Sequence, residues 1–146
     1  MEKWLPVMAT VVAGVLVALQ APINSTLGKS VGTFAAASVS FAIGLVVLLA
    51  ITVVAGGFGD IGKAADLKWY YLTGGILGAI YVTTVLLSVR ELGAGGVTAA
   101  TIAGQLGASV LIDRAGVLGL PEKALTPGRV VGIILLAAGV FLIVRE

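Results

Sequence analysis

TFAAASVSFAIGLVVLLAITVVA, residues 33–55, runs for a full bilayer's width without one charged side chain. A hydrocarbon core of about 30 Å is crossed by about 20 mostly apolar residues, each rising about 1.5 Å along a helix. A barrel strand is excluded, because the run is too long and lacks an alternation of period two. Working outward, comparable stretches occupy 5–23 and 69–89, and two slightly shorter ones occupy 96–112 and 130–144. The shorter pair places Asp113 and Arg129 near the lipid headgroups. The expected fold is therefore an all-α integral membrane protein, a single transmembrane domain over 1–146 with five helices at those positions.

Composition agrees with this reading. The chain is 59% hydrophobic and 11% charged, against about 25% charged in ordinary globular domains. It has no cysteine and no histidine, so it offers neither disulfides nor thiolate or imidazole ligands, and no metal or cofactor is expected. A net charge of +2 is too small and too scattered for nucleic-acid binding. Met1-Glu2-Lys3 is a weak start for a signal peptide, and Gln20-Ala21-Pro22-Ile23-Asn24 is a poor cleavage site, so the first helix is expected to be retained.

The connections are short. Residues 24–32 are expected to link helices one and two, 56–68 to link two and three with Gly56, Gly57 and Gly59 at the exit of helix two, and 90–95 to form a tight turn. The last link, 113–129, contains Pro121 and Pro127, and Thr126-Pro127 reads as a helix cap followed by proline at the first helical position. Five crossings would put the termini on opposite sides. Lys3, Lys63, Lys68, Arg114, Lys123 and Arg129 then share the N-terminal side, and Lys29, Arg90 and Arg145 the other. The basic bias predicts a cytoplasmic N-terminus. There is no internal repeat, and the chain has the size of one half of an inverted-repeat transporter.

Every acid falls at a helix end or in a loop, so the buried carboxylate that commonly binds cations or protons is missing. No nucleophile–base set and no phosphate-cradling loop is present, and the chain reads as a non-enzyme. A sparse polar set remains. Gln20 and Asn24 lie four residues apart on one face of helix one, with Pro22 between them freeing a carbonyl near Ala18. They form either a binding wall or the polar end of the helix near the headgroups. On helix four, Thr98, Thr101, Gln105, Ser109 and Asp113 recur every three or four residues along one stripe. Gln105 lies near mid-membrane, where an unpaired amide is costly, so it serves ligand contact or helix–helix hydrogen bonding. Tyr81 lies mid-helix, where its hydroxyl needs a partner. Asp113 is either a gate or proton-responsive group, or the interfacial partner of Arg114 or Arg129. Gly74 and Gly78, and Gly132 with Gly139, mark helix contact faces, whereas Gly28 and Gly32 are read as loop. Trp4, Trp69, Tyr70 and Tyr71 read as interfacial aromatics.

Four of these segments occur in an order that resembles the half-size, five-helix YdcZ family of the drug/metabolite transporter superfamily. They are Gln20-Ala21-Pro22-Ile23-Asn24-Ser25-Thr26-Leu27-Gly28; Gly74-Gly75-Ile76-Leu77-Gly78-Ala79-Ile80-Tyr81-Val82; Gly104-Gln105-Leu106 leading into Leu111-Ile112-Asp113-Arg114-Ala115-Gly116; and Leu125-Thr126-Pro127-Gly128-Arg129-Val130-Val131-Gly132 with Ala138-Gly139-Val140. The resemblance implies a multi-pass protein of the bacterial inner membrane, exporting a small metabolite or drug-like molecule as a homodimer or heterodimer of oppositely oriented halves. Gln20, Asn24, Tyr81, Thr101 and Gln105 are the expected cavity-lining groups. One departure matters. Small multidrug resistance proteins carry a glutamate in helix one, and the corresponding region here offers Gln20, which argues against cation/proton antiport by that route. The competing expectation is a non-transporting membrane scaffold or accessory subunit, whose polar groups serve helix association alone.

Overall fold

A computed structural model of the chain describes residues 4–145. The Met1–Lys3 stretch weighed as a signal-peptide start, with the Lys3 of the basic count, and Glu146 lie outside them. Among the described residues four α-helices carry the fold: α1 (Trp4–Val31), α2 (Thr33–Val54), α3 (Gly74–Ala115) and α4 (Pro127–Arg145). Two 3-10 segments, Gly57–Asp66 and Trp69–Leu72, connect α2 to α3. All four α-helices are long and apolar enough to cross a membrane. The chain packs as two compact units, one ending at Arg90 and the other beginning at Glu91.

In the first unit the expected loop at 24–32 is corrected: α1 continues through Pro22 to Val31, and Gly32 alone turns the chain at φ +88°. The physical reason is a pair of small-residue stripes. On α1, Ala21, Asn24, Ser25 and Gly28 are all buried, at a spacing that keeps them on one helical face. On α2, Ala36 and Ala37 are buried and Thr33 and Ser40 partly so, with the same spacing. Small side chains let two helix backbones approach, and this face needs the 24–31 segment to be helical. Gly28, read from the sequence as loop, is a packing residue: a Cβ there would lie 3.7 Å from the Ala36 Cβ and 3.0 Å from the Arg90 guanidinium.

The α2 stripe also receives the start of α3. Val82, Val85, Leu86 and Val89 are buried, the 3-1-3 spacing of one helical face. Ala36, Ala37, Val82 and Leu86 form one cluster, with Leu27 and Tyr81 packed on it. Gly78 lets Phe41 approach, because a Cβ there would meet the Phe41 ring at 3.3 Å, whereas a Cβ on Gly74 would meet nothing within 4 Å. Gly78→Leu should therefore destabilise the unit by the about 1–3 kcal/mol typical of overpacking. A melting temperature equal to that of the native protein would show that Phe41 simply moves aside.

The α2 exit follows the glycine signal. Ala55 and Gly56 bond back to Ile51 and Val53, and Gly56 takes the left-handed conformation at φ +67°. Trp69–Leu72, expected as the start of a long helix, is a separate 3-10 turn, and the α-helix begins at Gly74.

Helix α3 holds 42 residues, about 63 Å if straight. It is not continuous. Gly93 has φ +67° and ψ +171°, a conformation essentially closed to residues with a side chain. The expected turn over 90–95 thus narrows to one residue. The limbs 74–92 and 94–115 are about 28 and about 33 Å long, each close to one bilayer core.

In the second unit, α4 starts as the sequence indicated: Pro127 opens it, and the Arg129 N–H donates to the Thr126 Oγ1 at 3.4 Å. Residues 100, 137, 140, 141, 144 and 145 border an open apolar groove of about 500 Å³. No residue of α4 is buried, and a Cβ on Gly132 or Gly139 would meet nothing within 4 Å.

Candidate functional site

The six sequence-selected residues fall into two groups, Gln20, Asn24 and Tyr81 in the first unit and Thr101, Gln105 and Asp113 in the second. Asn24 is 5% exposed, and its Nδ2 donates to the Ser40 Oγ at 3.1 Å. That amide ties α1 to α2 beside the small-residue stripe. Gln20, one turn earlier, is exposed. Pro22 interrupts the hydrogen-bond ladder between them without ending the helix. Tyr81 is half-buried against the Ala36–Leu86 cluster.

On the second limb of α3 the polar stripe divides by depth. Thr98 and Thr101 are half-buried, whereas Gln105 and Ser109 are exposed. Ser109 donates to the Gln105 backbone carbonyl at 2.6 Å, so its hydroxyl is satisfied within its own helix. Exposed amides on apolar helices are chemically unusual surfaces in lipid. A carboxamide facing hydrocarbon loses its water without gaining a partner.

Asp113 ends the stripe in an ion pair. Its Oδ2 lies 3.2 Å from the Arg129 Nη2 and 3.9 Å from the Lys123 Nζ. Arg114, the other expected partner, instead pairs with Glu122. Asp113 lies near the C-terminus of α3 and Arg129 in the first turn of α4. Each charge therefore sits at the pole of its own helix that disfavours it, and the pair compensates both. The Arg129 Nη1 is buried and lacks a hydrogen-bond partner among the described residues.

Two polar contacts escaped the sequence reading. Ser40, partner of Asn24, carried a signal in the matching stripes at 21/24/25/28 and 33/36/37/40. Arg90 reaches across the end of the first unit, its Nη2 3.1 Å from the Thr33 Oγ1 and closely packed on Gly28. Nothing in the sequence distinguished Arg90 from an ordinary loop cation.

Residues 5–142 match the family described as "Putative inner membrane exporter, YdcZ". A 90-residue stretch is 31% identical to "Inner membrane protein YdcZ" of Escherichia coli (strain K12), covering 62% of this chain and 58% of that protein. The aligned stretch is thus under two thirds of that relative's length. No solved structure matches. With nearly its whole length covered by the family match, and with an all-helical fold rich in membrane-length segments, the chain belongs to the YdcZ family.

Proposed function

We propose that the chain is one subunit of a multi-pass transporter in the bacterial inner membrane, exporting a small metabolite or drug-like molecule as a pair of half-transporters. Family membership supports membrane export as the activity. The observation that carries the site is the exposure of Gln20 and Gln105 on otherwise apolar helices. In a bilayer such amides need a wet path, a ligand or a second chain, and a substrate pathway completed by pairing supplies all three. Within the first unit Asn24 supports the Gln20 face by holding α1 on α2, with Tyr81 half-buried on the same core; within the second, Thr101 is half-buried one turn before Gln105. The unpartnered Gly132/Gly139 face of α4 is the surface on which a second half-transporter, identical or not, is expected to pack. The activity is transport and not catalysis.

The break at Gly93 supports five crossings, since each limb of α3 matches one bilayer core. An odd number places the termini on opposite sides, and the basic bias puts the N-terminus in the cytoplasm. Reporters active only in the cytoplasm, fused before Met1 and after Glu146 in separate molecules, test this reading. Activity is expected from the first fusion and silence from the second. Full activity from both would mean an even number of crossings and would overturn the half-transporter architecture, whereas about half of full activity from each would mean that five-helix chains insert in both orientations, as a homodimer of opposed halves requires.

A further inference from the structure

The α3–α4 connection is strapped closed and yet apolar on its outside. The Lys123 N–H donates to the Asp113 carbonyl at 2.8 Å, and Arg114 pairs with Glu122. Gly116, at φ +59°, packs so closely on Glu122 that a Cβ would lie 3.2 Å from its backbone nitrogen. This closure turns Val117, Leu118, Leu120 and Leu125 outward, all exposed. Leu118 is the one non-glycine residue with positive φ (59°) among the described residues, although glycines flank it closely at 116 and 119. A leucine kept in a conformation that glycine adopts freely, with its side chain in the open, indicates that the side chain is needed there.

The charges beside it are unequal. Asp113 is one carboxylate facing two cations, and Arg114 and Glu122 cancel each other. One positive charge remains. Lys123 is 55% exposed and the Arg129 side chain 34%, so the surplus positive charge is open to an anion. An anion carried on hydrocarbon would meet that charge and the leucines together. We propose that residues 116–126, with Arg129, form a binding site for an anionic phospholipid. The phosphate sits by Lys123 and Arg129, and the Leu118 side chain inserts among the acyl chains. Phosphate–cation attraction at a membrane surface combined with an apolar wedge is the chemistry of interfacial lipid anchoring.

Melting of the purified full-length protein in mixed micelles, titrated with phosphatidylglycerol or with phosphatidylcholine, tests the site. Phosphatidylglycerol should raise the melting temperature and phosphatidylcholine should not. Removing one cation near the surface weakens such binding about fivefold, so Lys123→Gln should raise the half-saturating phosphatidylglycerol concentration by about that factor. Lys63→Gln, at an exposed residue paired with Asp60, should leave it unchanged. Leu118→Gly is the sharper variant. It should melt in phosphatidylcholine close to the native chain, because relief of the positive φ offsets the added freedom of an unfolded glycine and the lost apolar contact, while losing much of the phosphatidylglycerol effect. The proposal is overturned by equal melting in the two lipids, by an unchanged lipid response in both loop variants, or by full reproduction of the effect with soluble glycerol phosphate.

Discussion

Proteoliposomes carrying Gln105→Leu should lose transport while the protein remains folded and abundant, and Gln20→Leu should behave alike. Both amides are exposed on apolar helices, so replacing them with leucine removes no packing within the chain. Stability should therefore hold. Transport should fall by at least about tenfold, the factor corresponding to about 1.4 kcal/mol, if the amide hydrogen-bonds a substrate that leucine cannot bind. Asn24→Leu supplies the contrast. Its amide is buried and bonded to Ser40, so its loss should lower the melting temperature and transport together. If Gln105→Leu behaved like Asn24→Leu, the exposed amides would be helix-pairing groups rather than pathway groups.

Gly93→Val should disrupt the inserted protein more than any other single glycine change on α3. The native dihedral pair costs a β-branched residue about 1–3 kcal/mol, and the space around it is empty, so the penalty comes from the backbone alone. Valine is comfortable instead in a straight helix through 92–94, about 63 Å long and twice the depth of a bilayer core. Folded abundance should drop sharply. In the surviving molecules a cytoplasm-only reporter at Glu146 should gain activity, because one crossing has been lost. Gly95→Val is the control: Gly95 is helical, and a Cβ there meets nothing within 4 Å, so only a small change is expected. Equal behaviour of the two variants would remove the break at Gly93 from the architecture.

The membrane class was legible because lipid solvation demands long charge-free runs, and 33–55 satisfies it with no help from tertiary structure. The cap at Thr126-Pro127 and the stop at Gly56 were legible for a similar reason, each being local backbone chemistry. The end of α1 was misplaced because Pro22, Gly28 and Gly32 all look like breakers. Only Gly32 breaks the helix, Pro22 is spanned, and Gly28 serves close packing on Ala36. A sequence does not say which glycine is needed for conformation and which for proximity until the facing stripe is found. The same limit applies to side-chain partners. Asn24 meets Ser40 through the register of two helices, and Asp113 meets Arg129 rather than Arg114 because the loop folds Glu122 back onto Arg114. Among the candidate site residues, position along the helix was readable, whereas exposure, which separates Gln20 from Asn24, was not.

Movement of a small molecule across a bilayer is read directly from the release of a panel of small metabolites and drug-like compounds loaded into liposomes with and without the purified full-length protein. At least one compound is predicted to leave protein-containing vesicles at least about ten times faster than protein-free ones, and to lose that advantage with Gln105→Leu. Release of every compound at the protein-free rate, from vesicles holding folded and paired chains, would mean that the chain is not a transporter of such molecules.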